Sequence, residues 1–196
     1  MATFPTTPSF QSVNFKFNTP LLKTVSFSGK TYRVAQGHQY YTFTVKYPNI
    51  RAQEFGVVNA FMAARLGGYD SFQIVLPELS YTKAPDLPST TVTTTANAAA
   101  GALSINITGV GSGRTVLKAG DFFKFNNHSK VYVATADQTG NGIIYFSGAL
   151  VEPVPSGTAL TLTAVPFTVI FDNDVQEFDA GIGGITTLQL DMREVW

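Results

Sequence analysis

The sequence predicts a mainly β protein, in which a β-sandwich or barrel base domain carries one helix and a small β-barrel domain is inserted into it. Threonine occurs 24 times in 196 residues and aromatic residues make up 13%, and both residue classes fit the pleated surface of a strand. Turn residues also separate short apolar runs at intervals of roughly 8 to 12 residues, as in small sandwiches and barrels. A single stretch has a clear helical period.

Two strands are predicted to form the sheet of the base domain. Residues 38–47 and 185–196 each alternate apolar with polar side chains, which places the apolar set of each strand on one face. The apolar positions are Tyr41, Phe43, Val45, Tyr47, Leu188, Leu190 and Met192. We therefore expect one buried face on each strand.

The helix is predicted between about residue 50 and residue 66. Its apolar residues recur at helical spacing, at Phe55, Val58, Met62 and Leu66. Asn49 is the expected N-cap because its side chain can accept a hydrogen bond from an unpaired backbone N–H. Gly67 or Gly68 is expected to end the helix in the left-handed conformation.

A change of composition near Pro85 predicts a domain boundary. Residues 85–101 are small, β-branched and nearly uncharged, and turn-separated strands follow as far as residue 163. We therefore predict an inserted β-barrel domain at residues 88–165, and a base domain made of residues 1–87 and 166–196. Insertion of a domain is tolerated where a loop tip brings two chain ends close together.

Charge is balanced overall but unevenly distributed. Thirteen basic residues match thirteen acidic residues, so a globally basic nucleic-acid or membrane-surface binder is not expected. Residues 1–53 contain six cations and no acid, whereas residues 166–196 contain six acids and one cation. Either these segments form neighbouring strands whose side chains pair, or the acidic end faces a polyanion while the basic end meets an acidic partner.

The sequence contains no convincing catalytic or metal-binding motif. It has no cysteine and only two histidines, His38 and His128, which excludes thiolate chemistry and the usual zinc spacings. Ser28-Gly29-Lys30-Thr31 resembles the end of a phosphate-binding loop, but Thr24 stands where the first glycine belongs and a strand, not a helix, follows. We expect a hairpin turn there, no cofactor, no enzyme activity, and neither a signal peptide nor a membrane span.

Aromatic residues of the insert allow two interpretations. Phe122, Phe123, Phe125, Tyr132 and Tyr145 could form a stacking face for a sugar or a single strand. Alternation in strands instead favours a barrel core for about half of them.

Three segments resemble a family of bacteriophage tail structural proteins and are similar to distal tail proteins. The first, residues 38–78, has an aromatic strand, a Tyr-Pro turn, a helix and a Gly-x-Tyr-x-x-Phe strand; the others are residues 116–137 and 171–196. The resemblance implies a non-enzymatic virion protein made in the host bacterial cytoplasm. It further implies a ring, commonly of six copies, that joins the tail tube protein to the baseplate hub and host-recognition proteins, with DNA as passing cargo.

Particular residues have expected roles in such a ring, and the role of the acids rests on the charge asymmetry alone. The seven apolar positions of the two base strands would belong to a ring-forming sheet, and Asp172, Asp174 and Glu177 would face the lumen of the ring. The insert would project outward, where Tyr132 and Tyr145 could bind host surface glycan. Alternatives are a tail-tube or tube-completion subunit, or a glycan-binding module carried by the insert.

Overall fold

A computed structural model describes residues 1–181 and 184–196, and it confirms a mainly β fold. The elements before residue 80 are β1 (Ala2–Thr3), β2 (Ser12–Asn18), β3 (Leu21–Val25), β4 (Thr31–Ala35), β5 (Tyr40–Lys46), β6 (Ile50–Arg51), α1 (Ala52–Ala64) and β7 (Phe72–Ile74). The strands that follow are β8 (Thr93–Thr94), β9 (Ser104–Thr108), β10 (Thr115–Leu117), β11 (Phe122–Phe125), β12 (Val131–Ala134), β13 (Gln138–Thr139), β14 (Gly142–Ser147), β15 (Leu160–Thr161), β16 (Phe167–Phe171), β17 (Phe178–Ala180) and β18 (Ile185–Glu194).

The largest sheet has eight strands and draws on both ends of the chain. Its main order is β1-β7-β16-β18-β5-β2, and β6 and β17 also pair with β18. Only β1 and β7 are parallel. The ten-residue strand β18 lies between β16 and β5, so the acidic C-terminal segment and the basic N-terminal segment are neighbours in one sheet, as predicted.

Helix α1 packs against the core of this sheet through Phe55, Val58 and Met62. The helix begins after Arg51, whose side chain makes no capping bond, so the prediction of Asn49 as N-cap is wrong. Backbone bonding starts the helix instead, because the Ala52 N–H donates to the Gly184 carbonyl at 3.0 Å. The helix ends at Ala64. Leu66, with φ 52°, is the first residue after it in the left-handed conformation, and Gly67 follows with φ 67°, so the predicted glycine is not the residue at which the left-handed end begins. Leu66 is also exposed and does not continue the apolar face.

The segment between the two halves of the large sheet forms a nearly closed barrel. Its six strands follow the order β15-β11-β12-β14-β9-β8. The two edge strands meet, because Thr93 bridges to Ala159 and the Leu160 N–H donates to the Val92 carbonyl at 3.0 Å. A separate apolar core fills this barrel. The division into a base domain (1–87 and 166–196) and an inserted domain (88–165) as independent folding units stays a prediction.

Strands β11 and β12 are buried on both faces. Phe122 pairs with Val133, and Phe123 pairs with Tyr132. Because side chains alternate along a strand, the first pair joins the core of the large sheet and the second pair joins the core of the barrel. These two strands therefore form the wall that the two cores share.

Strands β3 and β4 form a two-stranded hairpin that is separate from both larger sheets. All ten of their residues are exposed. The predicted turn at Ser28 to Thr31 lies at the hairpin tip, where the Gly29 N–H donates to the Ser26 carbonyl at 2.9 Å. An isolated two-stranded hairpin is only marginally stable in water, so this element gains little from the rest of the chain.

Candidate assembly surfaces

A buried ion pair joins the barrel to the large sheet. Lys130, just before β12, forms a salt bridge with Glu194, at the end of β18, and both side chains are at most 1% exposed. Glu194 also accepts hydrogen bonds from the backbone N–H groups of Val131, at 3.0 Å, and Tyr41, at 3.3 Å. The Lys130 ammonium lies 4.2 Å from the ring centre of Tyr41, within the range of a cation–π interaction.

Burial acts on both charges of this pair. It lowers the pKa of Lys130 and raises the pKa of Glu194, because each charged form loses its hydration. The opposite charge and the hydrogen bonds counteract both changes. Removal of one partner would therefore leave an uncompensated charge in the interior.

Polar contacts at two further positions hold the barrel in place. Asp121 of the barrel accepts hydrogen bonds from the Thr82 hydroxyl and from the Lys83 N–H. Gln39, just before β5, accepts a hydrogen bond from the Ser147 hydroxyl at 2.9 Å. Together with the shared wall of β11 and β12, these contacts fix the orientation of the barrel relative to the large sheet.

The side chains predicted for a ring-forming sheet lie inside the protein. None of the seven is more than 4% exposed: Tyr41, Phe43, Val45, Tyr47, Leu188, Leu190 and Met192. They form the core of this chain and so cannot themselves contact a second copy. Strands β5 and β18 also have neighbours on both sides, so strand addition between copies would have to use an edge strand such as β2 or β1.

The three acids predicted to face a lumen are all exposed. Glu177 lines a groove of about 560 Å³, whereas Asp172 and Asp174 are not among the described residues that line it. The groove also contains Asp179, Asp191 and one cation, Lys46. The groove is therefore acidic, and it lies at the end of the sheet where strand β5 ends.

Neighbouring strands do not lead to charge pairing between the two ends of the chain. The described residues contain three salt bridges, Arg65–Asp70, Lys118–Asp137 and Lys130–Glu194. None of these joins a cation of residues 1–53 to an acid of residues 166–196. The prediction that the ends would be neighbours is correct, but the predicted ion pairs between them are not found in the part of the chain that the structure describes.

Tyr132 is fully buried, so the prediction that it belongs to an outward ligand surface is wrong. Its hydroxyl lies 2.8 Å from Nε2 of His128 and accepts a hydrogen bond from the Val151 N–H at 3.2 Å. Alternation explains the error, because Tyr132 faces the barrel core together with Phe123. Tyr145 is 53% exposed and lies on the outer face with Ile143.

The sequence did not identify Lys130 and Glu194 as partners, since 64 residues separate them. One signal was available: the runs Phe122-Phe123-Lys124-Phe125 and Val131-Tyr132-Val133-Ala134 are apolar in both phases of the strand period. Such runs are typical of strands covered on both faces. That pattern could have predicted the wall shared by the two cores, although not the ion pair beside it.

Two comparisons with known proteins give related matches. A family model described as the N-terminal part of the A domain of distal tail protein pb9 matches residues 2–79. The chain is also 30% identical over 131 residues to distal tail protein pb9 of Escherichia phage T5. The match covers 64% of this chain, and the chain spans 60% of the length of that relative. Over these residues the chain is similar to phage distal tail proteins.

Proposed function

We propose that this protein is a structural ring subunit at the tip of a phage tail, where six copies join the tail tube protein to the baseplate hub and the host-recognition proteins. The match of residues 2–79 to the N-terminal part of the A domain of distal tail protein pb9 carries this proposal. The composition also supports it, because charged residues make up only 13% of the chain against roughly 25% in an ordinary soluble domain. A chain so poor in charge suits a subunit whose surface is partly covered by copies of itself.

The role in the tail needs no catalytic group. No cluster of three or more His, Asp or Glu residues that could hold a metal ion is found in residues 1–181 and 184–196. No helix in the same ranges is long and apolar enough to cross a membrane. The proposed work of the protein is mechanical: it positions neighbouring proteins and leaves a channel for DNA.

Asp172 and Asp174 are the residues that we propose for the channel wall. Both are exposed and lie in the loop after β16. Like charges repel the phosphate backbone of DNA, so carboxylates on the wall would keep passing DNA from adhering. Glu177 is assigned to the groove rather than to the wall.

Imaging of the purified protein tests the proposed ring. Negative-stain micrographs and mass photometry of one sample, taken at several concentrations, should show closed rings of six copies. The central hole should be at least ~20 Å wide, because the major groove of DNA alone is ~12 Å wide. Virions that carry a labelled copy should show the label at the tail tip; label along the whole tube would instead support a tail-tube subunit.

A glycan-binding module is a second candidate, and the exposed pair Tyr145 and Ile143 favours it. An exposed aromatic ring beside an apolar side chain can stack against a sugar. Loss of phage adsorption in a folded Tyr145→Ala variant would support this function. Normal adsorption would contradict it.

A further inference from the structure

We infer that the hairpin formed by β3 and β4 of one copy docks in the acidic groove of the next copy. This inference rests on the proposed function, because a ring requires a contact that joins two different surfaces of the same chain. The hairpin and the groove are such surfaces, and their exposure, charge and positions carry the argument.

The hairpin presents an apolar face that nothing in the described chain covers. Leu22 pairs with Val34 across the hairpin, and Tyr32 follows on the same face; these three side chains are 53% to 62% exposed. Phe27 at the tip is fully exposed. Contiguous exposed apolar patches, as opposed to single scattered apolar residues, mark interaction sites when they exceed a few hundred Å².

The hairpin also carries three cations. Lys23 and Arg33 pair across the strands on the opposite face, whereas Lys30 lies near the tip with its ammonium 5.3 Å from the ring centre of Tyr32, on the apolar face. Residues 19–37 contain these three cations and no acid. An anionic surface with an apolar component is therefore the complementary partner.

The groove has that composition. It is lined by the carboxylates of Glu177, Asp179 and Asp191, and by the partly exposed rings and chains of Phe178 and Val175. Phe178 is 42% exposed and Val175 is 80% exposed. The lining of the groove contains these three acids against one cation, Lys46, so its charge is opposite to that of the hairpin.

The two surfaces lie at opposite ends of the same strand pair. The hairpin leaves the sheet after the pair Asn18–Tyr40, whereas the groove lies at the other end, beside Lys46. Six residue steps along β5 separate Tyr40 from Lys46, or roughly 20 Å at about 3.4 Å per residue. A hairpin that docks in the groove of the next copy gives a head-to-tail contact, and such contacts close into rings when the rotation between copies is right.

Cysteine cross-linking between two populations of the full-length chain tests this contact. The natural sequence contains no cysteine, so each population can carry one: Thr24→Cys in the hairpin, or Gln189→Cys at the groove. The mixed and oxidised populations should give a disulfide-linked dimer on a non-reducing gel. The matched control is Ala100→Cys, an exposed position on the barrel. When it replaces either of the two cysteines, the dimer yield should be at least about tenfold lower.

Charge reversal provides the second measurement. Lys23→Glu with Arg33→Glu in the hairpin population should reduce the dimer yield at least about tenfold, because like charges then face each other. Glu177→Lys with Asp179→Lys in the groove population should restore the yield to within about threefold of the natural pair. Asp172→Lys with Asp174→Lys is the control with the same change in charge, and should not restore it.

Each outcome separates this inference from the proposed ring. Rings in micrographs together with a dimer yield no higher than that of Ala100→Cys would overturn the hairpin contact and leave the ring standing. Cross-linking without closed rings would support the contact and contradict the ring. A hairpin that becomes protected only when tail tube protein is added would also overturn the inference.

Discussion

The buried pair of Lys130 and Glu194 gives a large and well-defined prediction for stability. Lys130→Met keeps the length and the apolar stem of the side chain but removes its charge. The Glu194 carboxylate, at most 1% exposed, then has no counter-charge. Breaking a buried pair in this way costs about 3 to 5 kcal/mol. For a chain of this size, that corresponds to a decrease in melting temperature of roughly 6 to 20 °C.

Urea denaturation and calorimetry of the full chain measure this effect, and the protein offers a matched control. Lys118 forms an ion pair with Asp137 at 2.8 Å, but the two side chains are 40% and 50% exposed. Lys118→Met should therefore leave the free energy of unfolding almost unchanged, because solvent screens this exposed pair. If Lys130→Met costs no more than Lys118→Met, the reasoning about the buried pair is refuted.

A second substitution and the pH dependence sharpen the test. Adding Glu194→Gln to Lys130→Met removes the isolated charge, so the double variant should regain at least about 1 kcal/mol of the loss.

Burial raises the pKa of Glu194 above its ordinary value, and loss of Lys130 raises the pKa further. A group with a raised pKa in the folded state favours folding below its ordinary pKa, and this contribution is lost as the pH rises through the folded pKa. The Lys130→Met variant should therefore differ more from the natural protein at pH 8 than at pH 5; an equal difference would contradict this explanation.

Three further predictions follow from the described contacts. Phe122→Ala should lower the free energy of unfolding by about 3 to 5 kcal/mol in urea denaturation, because this ring of the barrel wall fills the core of the large sheet; a loss below about 1 kcal/mol would contradict the shared wall. Tyr132→Phe should cost about 0.5 to 1.5 kcal/mol, since it removes the hydroxyl that accepts the part-buried Val151 N–H, and phage adsorption should stay normal. Reduced adsorption in this variant, with Tyr145→Ala as the surface control, would return Tyr132 to a binding role. In phage, Asp172→Lys with Asp174→Lys should slow DNA delivery and leave tail assembly intact, and unchanged delivery would rule out these acids as the channel wall.

The sequence by itself determined the main strands, the helix and the inner face of β5 and β18. Alternation of aromatic and β-branched residues with polar ones is a local property, and it is enough to place Tyr41, Phe43 and Val45 on a buried face. The resemblance of ordered segments to phage tail proteins was also readable from residues alone. The N-cap of α1 was not, because the backbone of Gly184, far along the chain, supplies the bond that starts the helix.

The tertiary structure decided which surfaces remain for partners. Tyr132 and Tyr145 are both tyrosines in predicted strands, yet one lies in the barrel core and the other faces solvent, because burial depends on which neighbour covers a strand face. Lys130 and Glu194 could be paired only after the barrel was placed on the sheet. Periodicity tells which side chains share a face, but contacts between residues far apart in the chain decide what that face meets.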